Sequence, residues 1–314
     1  MNIEDNILIT GGSGLVGTAL IHYLKSQGFK NIQCPSSSEC NLLDSDQTNR
    51  VFKKIKPDYI FHLAGFVKGI IGNKNRKGES FYKNTLINTH VVHAAMLSKC
   101  KKIVAMGSGC VYPFPSPEKL LIESMVFLGP PHESEDSYAH SKRAMLTQLI
   151  SYKQQYDMEF AFVISGNLYG PNDLFDVNEG HVVPSLVKKF HDAAKVSGTV
   201  EIWGDGSAQR DFLYSMDAAR GLLAIMKKLN GAVNLGSGSV HSIRNVVDEL
   251  TKIYSLKPSQ VFFNSEMPNG QDYRAYDLSV LNSSNFHTKY NLQEGLTKTA
   301  EWFDNNYDKL RKIK

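Results

Sequence analysis

The sequence predicts an α/β protein built on a doubly wound parallel sheet, with a smaller, discontinuous C-terminal lobe. Three observations predict it. Short apolar runs alternate with helical periodicity through the first half of the chain, a glycine-rich turn follows the first run, and the pattern loosens after residue 167.

"NILIT" at 6–10 is the first strand, and Leu15, Ala19, Leu20, Tyr23 and Leu24 form one face of the helix after it. "NIQCP" (31–35), "DYIFHLAG" (58–65), "KKIVAMGS" (101–108) and "EFAFVISGN" (159–167) are the next four strands. Helical patterns fall between them, notably at 86–98 and 138–155. Strands that are apolar throughout belong to a sheet covered on both faces, and its ligand is expected at the C-terminal strand ends. Residues 168–210 hold a Gly/Pro/Asn/Asp loop, a helix (182–195) and the strand "VEIWG". Residues 211–236 return to a helix and the strand "GAVNLGSG". A helix at 242–255, the strand "QVFF" and a last helix striped by Leu296, Ala300, Phe303 and Tyr307 complete the chain. The expected division is therefore 1–167 with 211–236 for the dinucleotide half, and 168–210 with 237–314 for the substrate lobe.

Composition narrows the function. The 314 residues carry a net charge of +4, with basic residues scattered among 31 acidic ones. There is no basic stripe with aromatic platforms, so a nucleic-acid partner is not expected. A modest positive excess suits a phosphate-bearing small substrate. The four cysteines, Cys34, Cys40, Cys100 and Cys110, include no C-x-x-C pair and match no zinc spacing, so no metal is expected. Free thiols, an acidic N-terminus and no run of membrane length point to the cytoplasm and away from a membrane.

"GGSGLVG" places Gly11, Gly14 and Gly17 between the first strand and first helix. Glycines there permit a tight turn and close approach of a pyrophosphate to the helix N-terminus, the fingerprint of a Rossmann sheet. At the end of the second strand "CPSSSECN" has no carboxylate where a ribose 2′-hydroxyl would be held, and Glu39 comes a few residues late. The hydroxyls of Ser36 and Ser37 can instead bond a 2′-phosphate, which favours NADP although no arginine is present to clamp it. "SYAHSK" sets Tyr138 and Lys142 one helical turn apart, so the ammonium can lower the phenol's pKa for general acid work. Ser108, at the end of the fourth strand, can converge with them on one carbonyl.

The glycine signature with Ser108, Tyr138 and Lys142 resembles the extended short-chain dehydrogenase/reductase family. "GSGCVYP", "GPPHESEDSYAHSK", "NLYGPNDLFDVNEGHVVPSLVKKFH" and "WGDGSAQRDF" resemble one branch of it, the GDP-L-fucose synthase family of GDP-4-keto-6-deoxymannose 3,5-epimerase/4-reductases. The resemblance implies that Cys110 removes the protons at C3 and C5, and that His181 returns a proton on the opposite face. It implies that Ser108 binds the C4 keto oxygen, that Tyr138 protonates it after hydride transfer from NADPH, and that Lys142 tunes Tyr138 and holds the nicotinamide ribose. The cofactor would be lined by Gly11, Gly12, Ser13, Gly14, Leu15, Val16 and Gly17, by Ser36, Ser37, Asn41 and Leu42, and by Leu63, Ala64 and Gly65. Met106, Gly107, Ser108, Tyr138, Lys142 and His181 would join them, with Ser165, Gly166, Asn167 and Leu168 at the nicotinamide. Lys68, Leu174, Lys189, Trp203, Arg210 and Asn269 would face a GDP-linked 4-keto-6-deoxy sugar. One polarised carbonyl serves both steps, because protons α to it become acidic once the enolate oxygen is stabilised. Inversion needs groups on two faces, and a thiol and an imidazole are expected to titrate near neutral pH.

Several positions depart from that family. Gly109 stands where a second small hydroxyl residue is common, Lys68 replaces a glycine, Asn172 a histidine, Leu174 an asparagine and Asn269 an aspartate. A GDP-heptose or colitose-pathway enzyme, a 4-reductase without epimerisation, and a non-catalytic NADP sensor therefore stand as alternatives. Taken singly, Cys110 reads as packing and His181 as a helix-start cap. A homodimer is expected through a four-helix interface of the 86–98 and 138–155 helices, with Tyr82, Leu86, Ile87, Met145 and Leu149 as apolar contacts.

Overall fold

The computed structural model describes residues 1–67, 75–267 and 269–310. Its centre is a six-stranded, all-parallel sheet in the order β2-β1-β3-β4-β6-β10, from β1 (Ile7–Thr10), β2 (Ile32–Gln33), β3 (Tyr59–His62), β4 (Lys102–Met106), β6 (Phe160–Ser165) and β10 (Gly231–Leu235). Alternation along these strands divides the core. Leu8, Ile60, Ile103 and Phe162 face one layer, while Ile7, Ile9, Phe61, Val104 and Val163 face the other. The first layer holds α2 (Ser45–Ile55), α3 (Lys77–Leu97) and α4 (Asp136–Tyr156). The second holds α1 (Leu15–Ser26) and α6 (Ser215–Lys228). Each large apolar side chain closed between the layers contributes roughly 1.5–3 kcal/mol.

The chain runs from β1 to β2 on one side and then crosses to β3 on the other, so the order reverses between β1 and β3. That reversal opens the crevice in which such sheets bind ligands.

The lobe is built from shorter strands. β9 (Gln209–Tyr214) lies between β11 (Val240–Ser242) and β13 (Tyr273–Tyr276), β13 also pairs β5 (Leu120–Leu121), and β7 (Asn167–Tyr169) pairs β9. β8 (Val200–Trp203) pairs β12 (Val261–Asn264). Helices α5 (Val182–Val196), α7 (Ile243–Ile253) and α9 (Leu292–Asn306) enclose a third core around Phe190, Leu250 and Phe303, and α8 (Ser279–Asn282) lies between α7 and α9 in sequence. β10 joins the six-stranded sheet and α6 packs on it, whereas β9, just before α6, pairs within the lobe.

Three expectations change. The strand at 159–167 is two strands, broken at Gly166, whose N–H donates to Leu235 O (3.0 Å) while the chain passes to the lobe. The helix expected at 86–98 begins at Lys77, because its inward face there is polar and gives no apolar period. Ser80, Asn84 and Asn88 are buried one turn apart, and the Asn84 amide bonds both Phe66 N–H and Phe66 O (2.9 Å each). Met145 and Leu149, expected at a dimer surface, are instead buried in the core against the sheet. Phe81 (44% exposed), Tyr82 (63%) and Ile150 (37%) are among the large apolar residues that α3 and α4 leave open, with Leu97 and Tyr156 at their ends.

Candidate active site

The glycine turn sits at the strand reversal. Gly11 has φ +75, and a Cβ there would meet the Ala64 backbone nitrogen at 2.7 Å, so the β1 and β3 loops touch across the crevice. A Cβ on Gly17 would overlap the Gly11 carbonyl, so α1 closes directly onto the turn. Gly14 caps α1 without any side-chain hydrogen bond, leaving the helix N–H groups open to an anion. These features fit a dinucleotide pyrophosphate. At the end of β2, Ser36 is already engaged. Its N–H and hydroxyl both donate to the Glu39 carboxylate (2.8 and 2.7 Å), and its oxygen lies 2.9 Å from Ser38 Oγ. The carboxylate that comes late in sequence thus folds back to the serines. Asn41 caps the next turn through Leu43 N–H (3.1 Å), and Leu42 O lies 2.9 Å from His90 Nδ1.

Ser108 ends β4 and caps a one-turn 3-10 helix, Gly109–Val111, its hydroxyl oxygen accepting Cys110 N–H at 3.4 Å. Lys142, buried on α4, donates to Met106 O (2.9 Å), and its Nζ lies 5.6 Å from the centre of the Tyr138 ring. Ser108, Cys110, Tyr138 and Lys142 are thereby brought together at the ends of β3 and β4. Burial pulls Lys142 down to about 8. It also pushes the Tyr138 phenol up, with Cys110 and Glu135 adding to the rise. The expected lowering of the phenol by Lys142 is therefore corrected: the ammonium is turned to Met106, and burial dominates. Cys110 is 3% exposed, and burial with Glu135 pushes its thiol up to about 12. The expectation of a thiol that titrates near neutrality is likewise corrected.

His181 is exposed at the N-cap of α5 and makes no side-chain cap bond. Its charge acts on Glu135 and on Asp173, a buried carboxyl that desolvation pushes up to about 6. On the lobe side, Lys189 donates to Glu201 O (2.9 Å), lies 4.9 Å from the Trp203 ring centre, and shares with it a cavity of about 410 Å³. Asn269 accepts Asp205 N–H (2.9 Å) beside Trp203. Arg210 is paired in register with Arg274 and bonds the Gln271 carbonyl. Leu174 is half-buried on the same loop as Asp173, and Lys68 lies outside the described residues.

Sequence reasoning missed four residues here: Glu135, Asp173, Arg274 and Tyr276. Glu135 forms an ion pair with Arg274 (3.1 Å). Burial alone would raise its carboxyl, but Arg274 outweighs this and holds it below the usual range. Glu135 was within reach of a sequence argument, one turn before Tyr138. Arg274 and Tyr276 were not, because β13 meets α4 only through the fold. Tyr276 explains Gly109: a Cβ at 109 would overlap the Tyr276 hydroxyl. A hydroxyl from β13 therefore lies against the position where the resembling family commonly carries a small hydroxyl residue. Arg274, Gly109 and His132 line a second cavity of about 400 Å³. No group of three or more His, Cys, Asp or Glu able to hold a metal exists among the described residues.

A glycine turn at a sheet reversal, next to a serine at the end of β4 and a tyrosine and lysine one turn apart on α4, defines a dinucleotide-dependent oxidoreductase of the short-chain type. Residues 7–236 match the NAD dependent epimerase/dehydratase family, and the chain belongs to it. It is 29% identical over 320 residues to GDP-L-fucose synthase of Escherichia coli, covering 98% of this chain and 99% of that one. A GDP-L-fucose synthetase from Naegleria fowleri, solved bound to NADP, superposes with a TM-score of 0.91 at 29% identity, covering 99% of this chain and 98% of that one. A GDP-6-OMe-4-keto-L-xylo-heptose reductase from C. jejuni superposes equally well, with a TM-score of 0.91 at 27% identity over 98% of this chain and 99% of that one. The chain is an enzyme of this family, and the sensor alternative falls.

Proposed function

We propose that the protein is an NADPH-dependent epimerase/reductase of a GDP-linked 4-keto-6-deoxy sugar, converting GDP-4-keto-6-deoxymannose to GDP-L-fucose. The observation that carries this is the meeting of Ser108, Cys110, Tyr138 and Lys142 around the end of β4, with Cys110 two residues from the group that holds the carbonyl. The Gly11–Gly17 turn and the uncapped end of α1 would hold NADPH, which would supply a hydride for C4. Ser108 donates to the C4 oxygen and stabilises negative charge there. Tyr138 gives its proton to that oxygen, and Lys142 offsets the phenolate that remains. Cys110 removes the protons flanking the carbonyl, and His181, opposite, returns one from the other face. Lys189, Trp203 and Arg210 hold the nucleotide. A homodimer through α3 and α4 is part of the same reading, supported by the exposure of Phe81, Tyr82 and Ile150. So is a cytoplasmic setting, supported by four free cysteines and by the lack, among the described residues, of a helix long and apolar enough to cross a membrane.

A second reading, C4 reduction alone on a GDP-heptose, is favoured by the thiol held up to about 12. Incubation of GDP-4-keto-6-deoxymannose with NADPH, followed by NMR of the product, separates the two. GDP-L-fucose supports the first reading, whereas a sugar reduced at C4 with C3 and C5 unchanged, or no turnover, supports the second.

A further inference from the structure

Tyr276 carries the least expected hydroxyl near the site. Strand β13 directs Arg274 and Tyr276 to one side, two residues apart. The Tyr276 ring lies between two glycines: a Cβ at 109 would overlap its oxygen, and one at 166 would lie 3.4 Å from its Cε2. It thus bridges the Ser108–Cys110 turn and the segment expected at the nicotinamide. The side chain is 6% exposed, and its hydroxyl oxygen is buried with no hydrogen-bond partner among the described residues. The neighbouring ring makes the contrast: Tyr112, 6.1 Å away between centroids, donates to Asn234 Oδ1 at 2.6 Å. A buried hydroxyl without a partner is costly, and it persists where a partner forms during function.

The nearest candidate partner is one residue away. Gly109, against which the phenol rests, is followed by Cys110, whose charge raises the Tyr276 phenol. We propose that Tyr276 is a positioning residue whose phenol donates a hydrogen bond to the Cys110 thiolate, stabilising it as the base. The proposal rests on the epimerase reading above. In the step it serves, the thiol first ionises, its proton leaving to water. The thiolate then takes a proton from the carbon beside the carbonyl: the C–H bond breaks, an S–H bond forms, and the electron pair moves to the C4 oxygen held by Ser108. The groups facing Cys110 define the balance. Glu135 opposes its ionisation, while Ser108, Arg274 and Lys142 favour it, and Tyr138, Arg143 and Tyr276 lie in the same field. Against the Glu135 carboxylate, one more donor on the sulfur makes the thiolate attainable.

The test is the pH dependence of deuterium uptake from D₂O into GDP-4-keto-6-deoxymannose without reduced cofactor, in the wild type and Tyr276→Phe. The variant keeps the ring and loses only the hydroxyl, and unchanged NADPH binding verifies its fold. The expected result is a midpoint moved up by about one pH unit and uptake near neutrality slowed about tenfold. An unmoved profile overturns the proposal, as does a rise in KM with an unmoved midpoint, which would make Tyr276 a substrate contact. A wild type that takes up no deuterium instead sinks the epimerase reading itself.

Discussion

The rim of the six-stranded sheet and the lobe facing it supply different halves of the site. The rim contributes the glycine turn, Ser108, Tyr138 and Lys142, all tied to strand ends or to the first turns of α4. The lobe contributes Lys189, Trp203, Arg210, Arg274 and Tyr276, with His181 at the start of α5. The rim groups suit hydride and proton transfer at one carbonyl, work that is common to many sugars. In the proposed reading, the lobe groups set the charge around the thiol and the grip on the nucleotide. One Rossmann sheet can in this way keep its chemistry at the carbonyl while its lobe changes which sugar fits.

Substitutions on each side should separate these halves. The largest effect belongs to the rim: Tyr138→Phe should lower NADPH oxidation about 10³-fold, since the proton donor to the C4 oxygen is lost. Its melting temperature should stay near that of the wild type. Arg274→Met comes next and acts on the lobe. It leaves the largely buried Glu135 carboxylate, 23% exposed, without its ion pair, at a cost of about 3 kcal/mol measured by urea denaturation. Retained stability would mean that the Glu135–Arg274 contact is solvated.

The smallest effect tests Asp173, whose Oδ2 is buried and unpartnered. Its carboxyl, pushed up to about 6, stands above the ordinary aspartate value, so the folded state is favoured while the carboxyl is protonated. That contribution is complete below the unfolded pKa and is lost as the pH rises through about 6. Asp173→Asn keeps the acceptor for Leu174 N–H. It should be neutral near pH 4 and stabilising by on the order of 2 kcal/mol at pH 8. Equal effects at both pH values would show that the carboxyl is not titrating there.

The same division decides what can be read from the sequence. Ile7, Leu8 and Ile9 announce β1, and Tyr138 with Lys142 announces its helix face, because strand alternation and helical turns are local. Helix α3 hid its first turns because Ser80, Asn84 and Asn88 face inward without being apolar. Met145 and Leu149 were placed on a surface because an apolar stripe does not say which layer covers it. Arg274 reaches Glu135 from a short lobe strand far along the chain, and no spacing rule encodes such a meeting. Gly109 was visible as a departure, but its reason lay in Tyr276. The thiol of Cys110 was legible as a residue, whereas its rise to about 12 depends on burial and on Glu135.

The most direct test of the account follows GDP-4-keto-6-deoxymannose by mass spectrometry in D₂O with enzyme and no reduced cofactor, then repeats it with Cys110→Ala. With Cys110 as the base, the wild type takes up deuterium at C3 and C5 and the variant takes up none, with NADPH-dependent reduction surviving in both. Absence of uptake by the wild type, or uptake that persists in Cys110→Ala, would contradict it.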